Sequence, residues 1–311
     1  GEIMKILVTG GAGFIGSHLV DGLIKRGDEV VVIDDLSSGK EKNLNPQATF
    51  YKTDICSKAI SDIFEKEKPE FVFHLAAQTS VPESVIDPLR DAKVNILGTI
   101  NLLKCSFGYG AKRFIFSSSV AVYGEPSDFP VKEDFFLKPV SPYGLSKKMA
   151  EECVAFFGSN FGLSYVILRY SNVYGPRQDP TGEAGVVSIF VSRRVKGDSV
   201  TIYGSGEQVR DFVYATDVVE ASILTLSRGK GEVFNIASGI EISINELYET
   251  LDKKFSLKLT PFYAQKRAGD IEKMVLDVTK AKKVLGWETK TSLDKGLGST
   301  IEYFRDMRQG T

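Results

Sequence analysis

Thr9-Gly10-Gly11-Ala12-Gly13-Phe14-Ile15-Gly16 lies between a β-branched run over residues 3–8 and a helical pattern over residues 13–25. Glycines permit a tight turn and close backbone approach, and the first N–H groups of a helix have no partner inside it. Such a turn therefore offers donors to a pyrophosphate. A glycine triplet alone is weak evidence, but its place between a first strand and a first helix is the context a dinucleotide site requires. Asp34 closes the next strand-like run, residues 29–33, about 20 residues beyond the glycines, where a carboxylate meets a ribose. It accepts bonds from both ribose hydroxyls and repels a 2′-phosphate, so NAD is expected over NADP; Asp35 reinforces the preference. Asp54-Ile55, after the third strand, suits either the adenine edge or an ordinary turn.

Outward from this motif, short apolar runs alternate with helical stretches, the mark of βα units and a parallel sheet. Further strands are expected at residues 48–51, 71–75, 113–117, 165–168 and 233–236. The run over 71–75 is apolar on both faces, as in a strand covered by helices on either side. Long amphipathic segments at 92–107 and 143–160 carry apolar residues three and four apart; the pattern suits core packing alone or core packing plus a partner. Beyond residue 172 the pattern loosens into Gly- and Pro-rich turns. The expected fold is α/β, a Rossmann-type doubly wound parallel sheet with a smaller C-terminal substrate-binding lobe. Residues 1–172, with roughly 208–239, are expected to form the NAD-binding domain, and residues 173–207 and 240–311 the lobe.

The 311 residues include 39 Lys plus Arg and 40 Asp plus Glu, a formal net charge of −1, with 42% apolar residues. That balance leaves no electrostatic footprint for nucleic acid or an anionic membrane. No apolar run reaches the roughly 20 residues of a membrane span, and the strand pattern starts almost at once. A soluble, cytoplasmic protein is therefore expected. Cys56, Cys105 and Cys153 are widely separated and read as reduced thiols. His18 and His74 have no ligand-like neighbours, so the chemistry is expected to run without metal and without a histidine base.

Tyr143-Gly144-Leu145-Ser146-Lys147 opens a helix with tyrosine and lysine four residues apart, on one face. An adjacent ammonium stabilises a phenolate and is expected to lower the tyrosine pKa, fitting Tyr143 to take a proton from a sugar hydroxyl. A Tyr/Lys pair at this spacing is common on solvated helix faces. It gains specificity beside Ser117-Ser118-Ser119, which ends a strand and offers hydroxyls to the same substrate oxygen.

With these segments, the sequence resembles the extended short-chain dehydrogenases/reductases, and among them the nucleotide-sugar epimerases of the UDP-glucose 4-epimerase type. The likeness is carried by residues 9–16, Asp54-Ile55, His74-Leu75-Ala76-Ala77-Gln78, Asn95, residues 117–124, 143–147 and 169–176, and Arg210-Asp211-Phe212. The resemblance implies Tyr143 as base, Lys147 as its electrostatic partner and Ser119 as the hydroxyl on the substrate oxygen. Around NAD it implies Gly10, Gly13, Phe14, Ile15, Gly16, Asp34, Asp35, Asp54, Ile55, Leu75, Ala76, Ala77, Gln78, Asn95, Ser117, Tyr143, Lys147 and Tyr170. The UDP-sugar would meet Ser119, Tyr143, Asn172, Val187, Tyr203, Arg210, Arg267 and Asp270. An arginine fork suits a diphosphate, although Arg267 taken alone reads as a surface ion pair. Pairing of two copies through the helices at 92–107 and 143–160 is implied as well.

Related 4,6-dehydratases carry an Asp-Glu pair immediately after the active-site hydroxyl; here Val120 and Ala121 stand there, and neither can serve as acid or base. Related UDP-glucuronate decarboxylases carry a glutamate two residues before the tyrosine of the Tyr-Gly pair, where this chain has Ala121. The expected reaction is therefore 4-epimerisation of a UDP-sugar, by transient oxidation at C4 and hydride return to the opposite face. UDP-galactose/UDP-glucose is the expected pair. Met274 matches the position that gates a C2 N-acetyl group, and methionine is flexible and of intermediate bulk. The N-acetylated pair, UDP-uronic acids, a related decarboxylase or dehydratase, and a non-catalytic NAD sensor are the alternatives.

Overall fold

The computed structural model describes residues 3–181, 185–267 and 271–309. The first half runs β1 (Lys5–Thr9), α1 (Phe14–Arg26), β2 (Glu29–Asp34), β3 (Thr49–Lys52), α2 (Ala59–Glu67) and β4 (Phe71–His74). It continues through the short helices α3 (Val81–Ile86) and α4 (Pro88–Ala92), a π-helical stretch Lys93–Gly98 and α5 (Thr99–Gly108). Then come β5 (Arg113–Ser119), α6 (Pro142–Phe161), β6 (Tyr165–Tyr170), β7 (Asn172–Tyr174) and α7 (Val186–Lys196). The chain closes with β8 (Thr201–Tyr203), β9 (Val209–Arg210), β10 (Phe212–Tyr214), α8 (Ala215–Leu224), β11 (Glu232–Ile236), β12 (Ile242–Ser243), α9 (Ile244–Asp252), β13 (Phe262–Ala264) and α10 (Leu293–Gln309).

Seven strands form one parallel sheet in the order β11-β6-β5-β4-β1-β2-β3, so the fold is a doubly wound Rossmann sheet. The strand period of two assigns its residues to faces. Leu7, Val31, Ile33, Val72, Phe114, Phe116 and Ile167 pack with Ile60 and Phe64 of α2, Leu102 of α5, and Ala150 and Val154 of α6. The intervening Ile6, Val8, Val30, Val32, Phe73, Ile115 and Leu168 meet Leu19 and Leu23 of α1 and Val218 of α8. Both faces are thus dry, which is why these strands read as nearly continuous apolar runs.

Of residues 208–239, β11 alone joins the large sheet; β9 pairs with β12 and β10 with β7. A separate core gathers Phe190 and Val191 of α7, Ile202, Phe212, Leu247 and Leu251 of α9, and Leu297 of α10. The helix expected over 92–107 is interrupted: α4 passes into the π-helical turn before α5 begins. One extra residue in that turn redirects the Asn95 side chain, a detail hydrophobic periodicity does not encode.

Candidate active site

Strand order reverses between β1 and β4, and ligands of such sheets bind beyond the carboxyl ends of the strands at that point. There Thr9 and His74 are in register, with Thr9 Oγ1 2.8 Å from His74 Nδ1, while His74 Nε2 lies 2.9 Å from Thr99 Oγ1. Burial and the nearby Lys147 charge hold the His74 imidazole well below the ordinary histidine range, so it is a neutral strut.

The glycine turn leaves no room for side chains. A Cβ on Gly16 would lie 2.0 Å from the Gly10 carbonyl oxygen, and Gly10, at φ +73°, would drive one to 2.7 Å from the Ala76 nitrogen. Gly13 sits at the N-cap of α1 with no side-chain cap, so the first N–H groups of that helix face outward as the cradle a pyrophosphate needs. Asp34 accepts from Ala12 N at 3.0 Å and Leu36 N at 2.9 Å, stapling the turn to β2 with the carboxylate assigned to the ribose. Burial raises its pKa, and the two backbone donors oppose that shift. Asp35 is exposed and closes a local turn by accepting from Ser37. The turn, the helix start and a carboxylate past β2 together fit an NAD molecule.

On the other side of the crevice, α6 starts at Ser141, whose hydroxyl accepts from Gly144 N at 3.0 Å, with Pro142 in the first turn. This start sets Tyr143 beside Ser119 at the end of β5, near enough for the Ser119 hydroxyl to act on the phenol. Lys147, one turn on, is buried; its Nζ donates to the Ser117 carbonyl at 2.8 Å and lies 4.9 Å above the Phe116 ring. Ser119, Tyr143 and Lys147 therefore converge. The expected lowering of the phenol pKa is not found: burial raises it, a Ser119 bond opposes, and the Asp91 charge adds to the rise. Desolvation of the phenolate form outweighs what the Ser119 hydroxyl returns.

Burial also pulls the Lys147 ammonium down to about 8, against the opposing effects of Asp91 and Glu151. Between about 8 and the ordinary lysine value, the unfolded chain holds a proton the native chain has released, so this group makes stability rise with pH. Below that window both states are protonated and the native state carries the full burial penalty. Cofactor-free wild-type protein should therefore gain stability relative to Lys147→Met as pH climbs through this window, read from urea midpoints of both proteins. A constant gap would contradict the depressed pKa.

Residues 6–237 match the NAD dependent epimerase/dehydratase family. The chain belongs to that family. It is similar to the putative UDP-glucose 4-epimerase of Methanocaldococcus jannaschii, 43% identical over 302 residues that cover 97% of this chain and 98% of the relative. It is also similar to the solved UDP-glucose 4-epimerase of Thermotoga maritima with UDP-glucose, at 52% identity and a TM-score of 0.97, covering 98% of this chain and 100% of that one. The UDP-N-acetylglucosamine 4-epimerase of Methanobrevibacter ruminantium M1, in complex with UDP-N-acetylmuramic acid, is 38% identical with a TM-score of 0.94, covering 99% and 100%. This member of the epimerase family is an enzyme, an isomerase acting on carbohydrates with NAD as its cofactor.

The remaining residues singled out in the sequence spread along the crevice. Leu75, Ala76, Ala77 and Gln78 follow β4 directly, and Asn95 reaches them from the π-helical turn: Gln78 N donates to Asn95 Oδ1 at 2.9 Å, and Asn95 Nδ2 donates to the Gln78 carbonyl at 3.0 Å. Ser117 donates to Tyr170 OH at 3.3 Å, and that phenol lies 3.1 Å from Ser222 Oγ. Ile55 is buried against the sheet, and exposed Asp54 accepts from Cys56 N at 2.8 Å. Phe14 and Ile15 form the first turn of α1. In the lobe, the Arg267 guanidinium stacks 4.0 Å from the Tyr203 ring centre. Asn172 is held by its backbone N–H on the Asp211 carbonyl at 3.1 Å, and Arg210 sits on β9. The Val187 side chain, in the first turn of α7, is buried with Phe190 and Val191. Met274 is buried with Val122, Tyr123 and Leu276. Asp270 lies outside the described residues.

Sequence reasoning missed Asp91 and Ser146. Asn95 Nδ2 also contacts Asp91 Oδ1 at 3.1 Å and Ser146 Oγ at 3.0 Å, so a buried polar network runs from Gln78 to the helix carrying Tyr143 and Lys147. The one hint was Asp91 standing four residues before Asn95, a spacing too common to single out.

Proposed function

We propose that the protein interconverts UDP-galactose and UDP-glucose at C4. The reading rests on Ser119, Tyr143 and Lys147 meeting at the carboxyl edge of the sheet, followed by Val120 and Ala121 where dehydration would need an acid and a base. NAD, when bound, accepts and returns the hydride. Tyr143 holds the proton of the sugar O4, with Ser119 bonded to the same oxygen and Lys147 supplying positive charge below it. Gly10, Gly13, Phe14, Ile15, Gly16, Asp34 and the Gln78–Asn95 pair hold the dinucleotide; Asn172, Tyr203, Arg210 and Arg267 hold the UDP handle. Binding energy from that remote handle lets a loosely held pyranose turn over between the two hydride transfers.

Homodimer formation belongs to the same proposal. It is supported by exposed apolar side chains on the paired helices: Leu97, Ile100 and Phe107 on one, Leu145, Met149 and Phe156 on the other. A cytoplasmic location is part of it too, supported by three cysteines that stand as thiols; among the described residues no helix is long and apolar enough to cross a membrane. Division into an NAD-binding domain and a nucleotide-sugar lobe is supported by the lobe's separate core.

The test is incubation with UDP-galactose without added NAD, following anomeric protons by NMR. Appearance of UDP-glucose to a steady ratio is expected. If nothing changes even with NAD supplied, the galactose/glucose assignment falls. Turnover confined to the N-acetylated pair would assign the protein to the second reading, which Met274, flexible and of intermediate bulk, leaves open.

A further inference from the structure

An α-helix begins with N–H groups that find no partner inside it, and α6 begins with the residues that carry the base. Pro142 has no N–H, the Ser141 hydroxyl takes that of Gly144 at 3.0 Å, and the Ser141 carbonyl takes that of Leu145 at 2.9 Å. The Tyr143 N–H is met from outside the helix: it donates at 3.1 Å to Ser84 Oγ, 59 residues back on α3. Ser84 is fully buried and has no surface to offer a substrate or cofactor. Its own hydroxyl donates to the Val81 carbonyl at 2.6 Å, and with that proton committed the oxygen is left to accept, as a backbone N–H requires.

The same short helix is tied to the cofactor side of the crevice. It starts at Ser80, whose hydroxyl accepts from Glu83 N at 3.2 Å, and Pro82 in its first turn is fixed at a helical φ. Gln78, among the residues assigned to NAD, brackets Ser80: its Oε1 accepts from Ser80 N at 2.5 Å and its Nε2 donates to the Ser80 carbonyl at 2.9 Å. One turn on, Ser84 N donates to that same carbonyl at 3.0 Å. A continuous run of bonds thus leads from the loop after β4, through α3, to the backbone of Tyr143. The Tyr143 carbonyl in turn accepts from Ser146 Oγ at 3.0 Å, so serine hydroxyls hold both backbone polar groups of that residue.

We propose that Ser84 is a positioning residue for the epimerase reaction: with α3 as a strut from the cofactor loop, it fixes the start of α6 so that the Tyr143 phenol lines up with the sugar hydroxyl. This rests on the reading of Tyr143 as the base. Proton transfer depends steeply on distance, and misplacing a reacting group by about 1 Å costs on the order of 10²-fold in rate. Without the Ser84 hydroxyl the Tyr143 N–H loses its acceptor, and the first turn of α6 must shift to regain one. The UDP handle docks on the lobe and does not depend on that turn.

Ser84→Ala should lower kcat by about 10- to 100-fold per NAD-bound site, with KM within about twofold of wild type. The discriminating measurement is the same replacement made in Tyr143→Phe. With the phenol oxygen gone its position no longer matters, so turnover should fall further by less than about twofold, whereas a residue that merely supports the fold costs the same factor in both backgrounds. The assays use whichever UDP-sugar the wild type turns over, so a wrong sugar shows in the wild type and a wrong role for Ser84 shows in the ratios. Deuterium exchange of NAD-saturated protein without substrate gives a reading free of turnover: the Tyr143 amide should exchange about tenfold faster or more in Ser84→Ala. Where Ser84→Ala folds poorly, Ser84→Cys, close in volume and a weaker acceptor, carries the same test. Unchanged kcat, equal loss in both backgrounds, a loss confined to KM, or unchanged exchange at the start of α6 would each overturn the proposal.

Discussion

Tyr143→Phe should lose about 10²- to 10⁴-fold in turnover, the range a positioned general base contributes, while keeping its NAD. The phenol oxygen is the one group removed, and nothing that shapes the dinucleotide cradle depends on it. Lys147 stays anchored on the Ser117 carbonyl, Asp34 stays bonded to Ala12 and Leu36, and the Gln78–Asn95 pair is untouched. The loss should fall on kcat, because proton transfer is needed in the transition state and not for docking the UDP handle. Burial keeps this phenol above its ordinary pKa range, so the base must be called into its charged form by Lys147 and the bound reactants together. Measured kcat, KM and bound NAD after gel filtration check the prediction; near wild-type turnover would remove Tyr143 as the base.

Glu151→Ala should cost about 3–5 kcal/mol of stability, the range for leaving a buried charge without its partner. Arg169 and Glu151 are both buried and form a fork: Nη2 donates to Oε2 at 2.7 Å and Nε to Oε1 at 2.9 Å. Burial alone would lower the Arg169 pKa, but the Glu151 carboxylate outweighs it and holds the guanidinium charged. Arg169 Nη1 also donates to Tyr123 OH at 2.9 Å and to the Glu133 carbonyl at 2.8 Å, and Tyr123 OH donates to Asn235 Oδ1 at 2.6 Å. One network thus ties α6, β6, β11 and the segment after β5, and it seats the helix that carries Tyr143 and Lys147. Urea unfolding of NAD-saturated protein should show the loss. The double replacement Glu151→Leu with Arg169→Met should recover most of it, since a matched apolar pair leaves no orphaned charge. A single variant as stable as wild type would show that the pair is solvated and carries little.

How far these two sites could be read in advance differs. Tyr143, Lys147 and Ser119 were legible because each belongs to a local pattern, an i/i+4 pair at a helix start and a hydroxyl at a strand end. Their convergence follows from the order of the strands. The Arg169–Glu151 pair was not legible: the residues lie on a strand and a helix with no shared motif, and a charged residue in a sequence is read as solvent-facing until packing says otherwise. The same holds for Asp91, whose contacts depend on a π-helical turn.

What the sequence determined by itself is the doubly wound sheet, the glycine turn, the acidic residue after the second strand and the tyrosine–lysine helix face. Those features are set by short-range rules: a side-chain period of two or 3.6, the steric needs of a turn, the orphan donors of a helix start. The tertiary structure alone decided which way desolvation moves Tyr143 and Lys147, which charges are buried as partners, and which hydroxyl from a distant segment meets the Tyr143 N–H. Those depend on dielectric surroundings and on distances between residues far apart in the chain, which local pattern does not carry.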